Sequence, residues 1–300
     1  MTETLLVLAA SALALGTPLL LAALGELVSE RAGVLNIGVE GLMLTGAFAG
    51  FLGCWTTGSP LFGLACAGVA AMLLGLVLAA WVVGLDADQV VAGAALNILA
   101  LGLTGTAYRA VFGVTGAALA VPTFQPLAVG DAPWLAPFRQ PAPVFVALAL
   151  VPVIWVVLAR TRVGLALRAV GEAPEAAASL GVPVGAMRVG ALAVAALLAG
   201  LGGGYLSLAY SNTFVEGMSA GRGFIALAIV VFGRWRPLGI LAGALLFGAA
   251  SAGQFHLQAA GIAVSYHLLL MLPYVLTLAV LAFASGATTA PAALGRRREE

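Results

Sequence analysis

Apolar runs of about 20 residues recur along almost the whole 300-residue chain, at about 4–24, 36–55, 61–84, 89–112, 143–159, 187–209, 220–234, 237–256 and 266–286. A hydrocarbon core of about 30 Å takes about 20 apolar residues to cross as a helix. Inside it every backbone N–H and C=O must be satisfied within the protein, which favours α-helices for such runs. The expected fold class is therefore all-α: a polytopic integral membrane protein of about nine transmembrane helices. Composition agrees, since 62% of the residues are hydrophobic and 8% charged, against roughly 25% charged in an ordinary soluble domain. The runs at 143–159 and 220–234 are short, which permits a tilted, broken or re-entrant element there. No basic segment precedes the first run and no A-x-A-like site closes it, so it reads as a first span, not as a signal peptide. The 39 glycines and many alanines suit helices whose backbones approach closely.

Every one of the 13 basic side chains is an arginine, and cytoplasmic loops near span ends collect positive charge. With an external N-terminus, Arg31, Arg160, Arg162, Arg168, Arg188, Arg234, Arg236 and Arg296 to Arg298 fall inside. Only Arg109, Arg139 and Arg222 then lie outside or within the membrane. The expectation is a multi-pass protein of a prokaryotic inner or plasma membrane, N-terminus outside and C-terminus cytoplasmic. One transmembrane domain covers 1–290, with halves of about 1–159 and 187–290, a cytoplasmic loop at 160–186 and a cytoplasmic tail at 291–300. Residues 113–142 contain Pro122, Pro126, Pro133, Pro137 and Pro141 and are expected to form an irregular external segment, because repeated proline blocks helix propagation.

The two halves echo one another weakly. Glu40-Gly-Leu-Met-Leu followed by Pro60-Leu-Phe-Gly-Leu is answered, at nearly the same offset, by Arg222-Gly-Phe-Ile-Ala followed by Pro237-Leu-Gly-Ile-Leu. Five spans separate the copies, so the halves would have inverted topology, the arrangement of many transporters. The competing reading is that any two Gly/Ala/Leu-rich spans look alike.

Enzymatic chemistry finds little material. There is no lysine for a P-loop and no HExxH, GxSxG or CxxC. Ser265 beside His267, without a nucleophile motif, is the best that a Ser-His hydrolase reading can offer. Cys54 and Cys66 have no metal or disulfide spacing, no cofactor is implied, and a net charge of +1 offers no basic face to nucleic acid. What remains is the polar and aromatic set within the spans. Charged groups at the centre of a membrane helix cost about 2.5–3.5 kcal/mol each on insertion scales, so Asn36, Glu40, Asn97, Arg109 and Arg222 need a reason. Lining a substrate pathway is one. The others are that Asn97 bonds a neighbouring helix, and that Glu40 caps a helix or pairs with Arg31. Phe48, Phe224 and Tyr108 could stack on a ring-shaped substrate or simply pack. A proton- or sodium-coupled carrier or a channel is the alternative transport class, and it would place ionisable residues at mid-membrane, whereas the charges here cluster near span ends.

Within 160–186, Pro174 suits a first helical turn, Glu175 and the alanines continue it, and Gly181 with Pro183 stops it. A helix of about two turns outside the membrane results, stiff enough to take force from a separate motor.

The run Ser29-Glu-Arg-Ala-Gly-Val-Leu-Asn-Ile-Gly-Val-Glu-Gly41, the loop Gly171-Glu-Ala-Pro-Glu-Ala-Ala with Leu180-Gly-Val, and Ala220-Gly-Arg-Gly-Phe-Ile-Ala-Leu-Ala occur in that order. Together they closely resemble the permeases of nucleoside-type ABC importers, within the broader branched-chain amino acid and ribose importer permeases. The resemblance spans residues 5 to about 285. It implies half of a translocation pathway for a small-molecule substrate, nucleosides first, with ribose-like sugars or branched-chain amino acids as the alternative. It further implies a paralogous permease in a heterodimer, an external substrate-binding lipoprotein and surrounding membrane lipid. A cytoplasmic ABC ATPase would hydrolyse ATP and dock on Gly171, Glu172, Pro174, Ala176, Ala177 and Gly181. Ala173 departs from the family's Gly-Glu-Asn-Pro and removes a capping side chain.

Overall fold

The computed structural model describes residues 2–113, 119–127, 130, 132–259, 271, 275 and 290–296. Its helices are α1 (Thr2–Arg31), α2 (Val39–Thr57), α3 (Pro60–Ala79), α4 (Gln89–Phe112), α5 (Ala142–Arg160), α6 (Arg162–Glu172), α7 (Pro174–Ser179), α8 (Val184–Tyr205), α9 (Arg222–Phe232) and α10 (Pro237–Ala259). Among the described residues seven helices are long and apolar enough to cross a membrane: α1 to α5, α8 and α10. The run at 220–234 yields only the 11-residue α9, roughly 16 Å at 1.5 Å per residue, about half of a hydrocarbon core. The run at 266–286 lies outside the described residues but for two positions, as do Ser265 and His267.

Local chemistry places many of the ends. Pro60 opens α3 behind Ser59, whose hydroxyl accepts the Phe62 N–H. Asp88 accepts the Val90 and Val91 N–H groups at the start of α4. Thr161 does the same for Gly164 of α6. These are first-turn amides that the helix itself leaves without partners. The C-terminal turns of α3 and α8 widen to five-residue bonding, Leu85 N–H to Ala80 and Ser211 N–H to Leu206.

The core is formed by α1, α2, α3 and α8, with Leu24, Leu27, Leu42, Met43, Leu78 and Leu192 fully buried and α10 laid along α1. Large apolar side chains on the outer faces of α3, α4 and α5, such as Leu73, Ile98 and Val153, are exposed, the distribution a bilayer requires. Where α2 crosses α8, Gly46 and Gly200 meet backbone to backbone, so that a Cβ on Gly46 would overlap the Gly200 carbonyl. Glycine here lets the two helices touch. Gly46→Leu should therefore separate α2 from α8, and since overpacking typically costs 1–3 kcal/mol, the purified protein should melt several degrees lower. An unchanged melting temperature would show that the crossing tolerates a side chain.

The expected loop at 160–186 is largely helical. The chain reverses at Thr161 into α6, buries Leu167 and Val170 and continues through Ala173 into α7. The described part of the tail is not free: Ala293 N–H donates to the Gly171 carbonyl at 2.9 Å, and Gln89 Nε2 donates to the Arg296 carbonyl at 3.3 Å. The proline-rich segment is irregular as expected where described, apart from a 3₁₀ turn at Pro133–Phe138 and a single bridge between Pro126 and Pro141.

Candidate functional site

The first turns of α2 and α9 meet. Gly221 precedes α9 in the left-handed region at φ 82° and offers no side chain to cap it. Its cap comes from α2: Glu40 Oε1 accepts the Gly221 N–H at 2.8 Å and Oε2 accepts the Gly223 N–H at 2.7 Å. A helix N-terminus carries a partial positive charge, which a carboxylate stabilises. Glu40 also lies in the first turn of its own helix, so one carboxylate serves two N-termini. The approach leaves no room for a side chain on α9, since a Cβ on Gly223 would lie 2.5 Å from the Glu40 nitrogen.

Asn97 of α4 completes the junction. Its Oδ1 accepts the Gly41 N–H at 2.8 Å and its Nδ2 donates to the Ile37 carbonyl at 2.9 Å. The non-helical segment 32–38 between α1 and α2 is satisfied in the same manner. Gln89 Oε1 accepts the Leu35 N–H at 2.7 Å, and Glu26 Oε1 accepts the Asn36 N–H at 2.9 Å. Irregular backbone at membrane depth is tolerated only where protein or a cavity surrounds it. Asn36 itself is 0% exposed. Its carboxamide lies beside the Glu26 carboxyl.

The far end of α9 is held by α1. The Trp235 indole N–H donates to Glu30, and Arg31 Nη2 donates to the Trp235 carbonyl at 2.7 Å. The short helix is thus fixed at both ends by groups flanking one segment, 32–38.

Phe48 lies about two turns beyond Glu40 along α2, edge-on to Phe214 at 5.3 Å. Phe214 also packs on Tyr108, and Phe51 on Phe112. Near these rings Arg109 of α4 makes a bidentate pair with Glu216, at 2.8 and 2.6 Å. Hydrogen bonding from Arg109 holds the exposed Glu216 carboxyl below the usual carboxylate range. Arg222 Nη1 turns back onto the Met218 and Ser219 carbonyls, and Phe224 stands half exposed on α9.

At the arginine-rich end, α7 has Pro174 in its first turn and no side-chain cap from Ala173, the loss foreseen from the missing asparagine. Gly181 closes it at φ 80°. Gly171 presses against the Arg31 carbonyl and Gly33, so the arm rests on the start of segment 32–38. Glu172, Glu175, Ala176 and Gly181 are exposed, whereas Ala177 faces the protein interior at 3% exposure. Leu180, just past α7, is 84% exposed, a large apolar group with nothing covering it.

Of the residues singled out from sequence, Glu40, Asn97 and Arg222 come together at the α2–α9 junction. Asn36 lies in the segment below it, Phe48 belongs to the aromatic cluster, and Phe224 faces outward. Sequence reasoning missed Glu26, Glu30 and Trp235 as a linked set. It also passed over α6, although Val163, Leu167 and Val170 repeat at helical spacing.

The family model described as branched-chain amino acid transport system / permease component matches residues 8–281. A protein of Haloferax volcanii, named provisionally as a glucose ABC transporter permease, is 43% identical over 82% of this chain and 76% of its own. The guanosine ABC transporter permease of Bacillus subtilis is 36% identical over 98% of this chain and 96% of its own. A nucleoside ABC transporter permease of Lactococcus lactis is 34% identical over the same shares, 98% and 96%. No solved structure matches the chain.

Proposed function

The chain belongs to the permease components of the branched-chain amino acid transport system family, and from that premise we propose that it forms half of the translocation pathway of a nucleoside importer. It is the membrane-spanning subunit of an ABC importer, multi-pass in the plasma membrane, and not an enzyme. Membership implies an ATPase and a substrate-binding protein as partners; the other half of the pathway is assigned to a paralogous permease. The nucleoside assignment is supported by the two relatives that align almost end to end, both named for nucleosides. The archaeal relative named for glucose favours a sugar as the second reading.

The single observation that carries the mechanism is the Glu40 bond pair to α9. An apolar helix about half as long as a membrane crossing, like the 11-residue α9, is the kind of element from which transporters build substrate sites. Here its seat is set by segment 32–38, on which the α6–α7 arm rests. With the N-terminus outside, the arm is cytoplasmic and accessible to the ATPase. Displacement of the arm would then pass through Gly171 and Gly33 to Glu40, shifting α9 between two seats.

The test is ATP-dependent uptake in proteoliposomes holding the whole importer, with labelled guanosine, uridine, ribose, glucose and leucine compared. Saturable uptake of the nucleosides, competed by each other and not by glucose, is expected. Uptake of glucose alone would establish the sugar reading instead.

A further inference from the structure

We propose that the groove between the ends of α5 and α6 and the α9–α10 turn is a binding site for the headgroup of an anionic phospholipid. The groove, about 760 Å³, is lined by Arg31, Arg168, Arg234 and Arg236 together with apolar groups, and no acidic side chain lines it. Arg31 lies within electrostatic reach of Glu172, Arg168, Arg236 and Glu30, and of these only the two arginines line the groove. Like charges gathered this closely favour a bound anion, and arginine presents a planar fork that suits phosphate oxygens.

The backbone is shaped for this display. Arg234 and Trp235 are consecutive non-glycine residues in the left-handed region, at φ 54° and 52°. That conformation is unfavourable for L-residues and persists where surrounding structure holds it. Here it is held through the Trp235 indole on Glu30 and the Trp235 carbonyl on Arg31. The turn leaves Arg234 and Arg236 exposed on either side of a buried tryptophan.

The apolar lining decides between a lipid and free phosphate. Trp155 on α5 is 44% exposed and Leu238 at the start of α10 is 66% exposed. Both are on helices that cross the membrane. Arginines above, with an interfacial tryptophan and bare apolar walls below, match a phosphodiester that carries acyl chains. Basic pockets between helices on the cytoplasmic side hold such headgroups. Arg168 on α6 lines the groove but no residue of α7 does, so the site adjoins the arm on the side away from α7 and Leu180, where the ATPase is proposed to dock. The placement in the cytoplasmic leaflet rests on the orientation proposed above; the test does not, because it reads lipid retention and not uptake.

The whole importer is purified and examined by native mass spectrometry with added phosphatidylglycerol or phosphatidylcholine. The parental complex should retain phosphatidylglycerol in preference. Arg168→Gln with Arg236→Gln should lower that retention by about fivefold per arginine removed. Arg160→Gln with Arg162→Gln removes the same charge from nearby positions that do not line the groove, and should leave retention unchanged. Millimolar inorganic phosphate should not displace the lipid. Equal retention by the groove variant, or an equal loss in the control pair, would overturn the site. Displacement by phosphate would make it a site for free anion, and loss of the ATPase subunit in place of lipid would make it a protein-docking surface. Both results would also refute the proposal.

Discussion

Glu40→Ala is expected to reduce uptake by about a hundredfold while the importer still assembles. The carboxylate accepts from Gly221 and Gly223, and hydrogen bonds to a charged group contribute about 1.5–3 kcal/mol each. Losing both removes about 3 kcal/mol or more from the state in which α9 is seated on α2. A change of that size is roughly a hundredfold in a two-state population. The Gly221 and Gly223 amides at the head of α9 would turn to water or to another seat. Glu40→Gln keeps one accepting oxygen and loses the charge, so its uptake should fall between the two. Asn97→Ala removes the neutral bonds to Gly41 and Ile37, about 1 kcal/mol each, and should cost about thirtyfold. ATP-driven uptake and subunit co-purification, measured on the same preparations, separate a failed seat from a failed fold. Parental uptake by Glu40→Ala would show that the seating of α9 has no part in transport.

The second large effect is expected at Leu180. Covering a leucine that is 84% exposed in an apolar cleft of the ATPase would contribute about 1.5–3 kcal/mol. Aspartate would place an unpaired charge in the same cleft. Leu180→Asp should therefore weaken ATPase binding by more than about a hundredfold, with no change in the melting of the isolated permease. Ala177→Glu provides the contrast: Ala177 is buried against the protein itself, so a bulky charge there should unseat the arm and lower the melting temperature. Titration of the purified ATPase against both variants, with melting curves alongside, distinguishes the two. ATPase binding by Leu180→Asp at parental strength would exclude this leucine from the docking surface.

What the sequence could determine was local. The apolar runs that became α1 to α5, α8 and α10 follow from hydrocarbon thickness and from the need to satisfy the backbone internally, neither of which depends on neighbours. The arm α7 was equally legible, because Pro174 and Gly181 act through their own backbone torsions. Glu40 and Asn97 stood out because polar groups within apolar runs demand a reason, but the reason was not in the local pattern. The amides that Glu40 serves lie 181 and 183 positions away. Apolar content made 220–234 look like a span, yet α9 spans only 11 residues. The glycine at 221 and the bonds from Glu40 start it there, and the left-handed Arg234 and Trp235 follow its end. Hydrophobicity reports whether a segment can lie in a membrane; which N-terminus meets which carboxylate is decided only when packing brings the helices side by side.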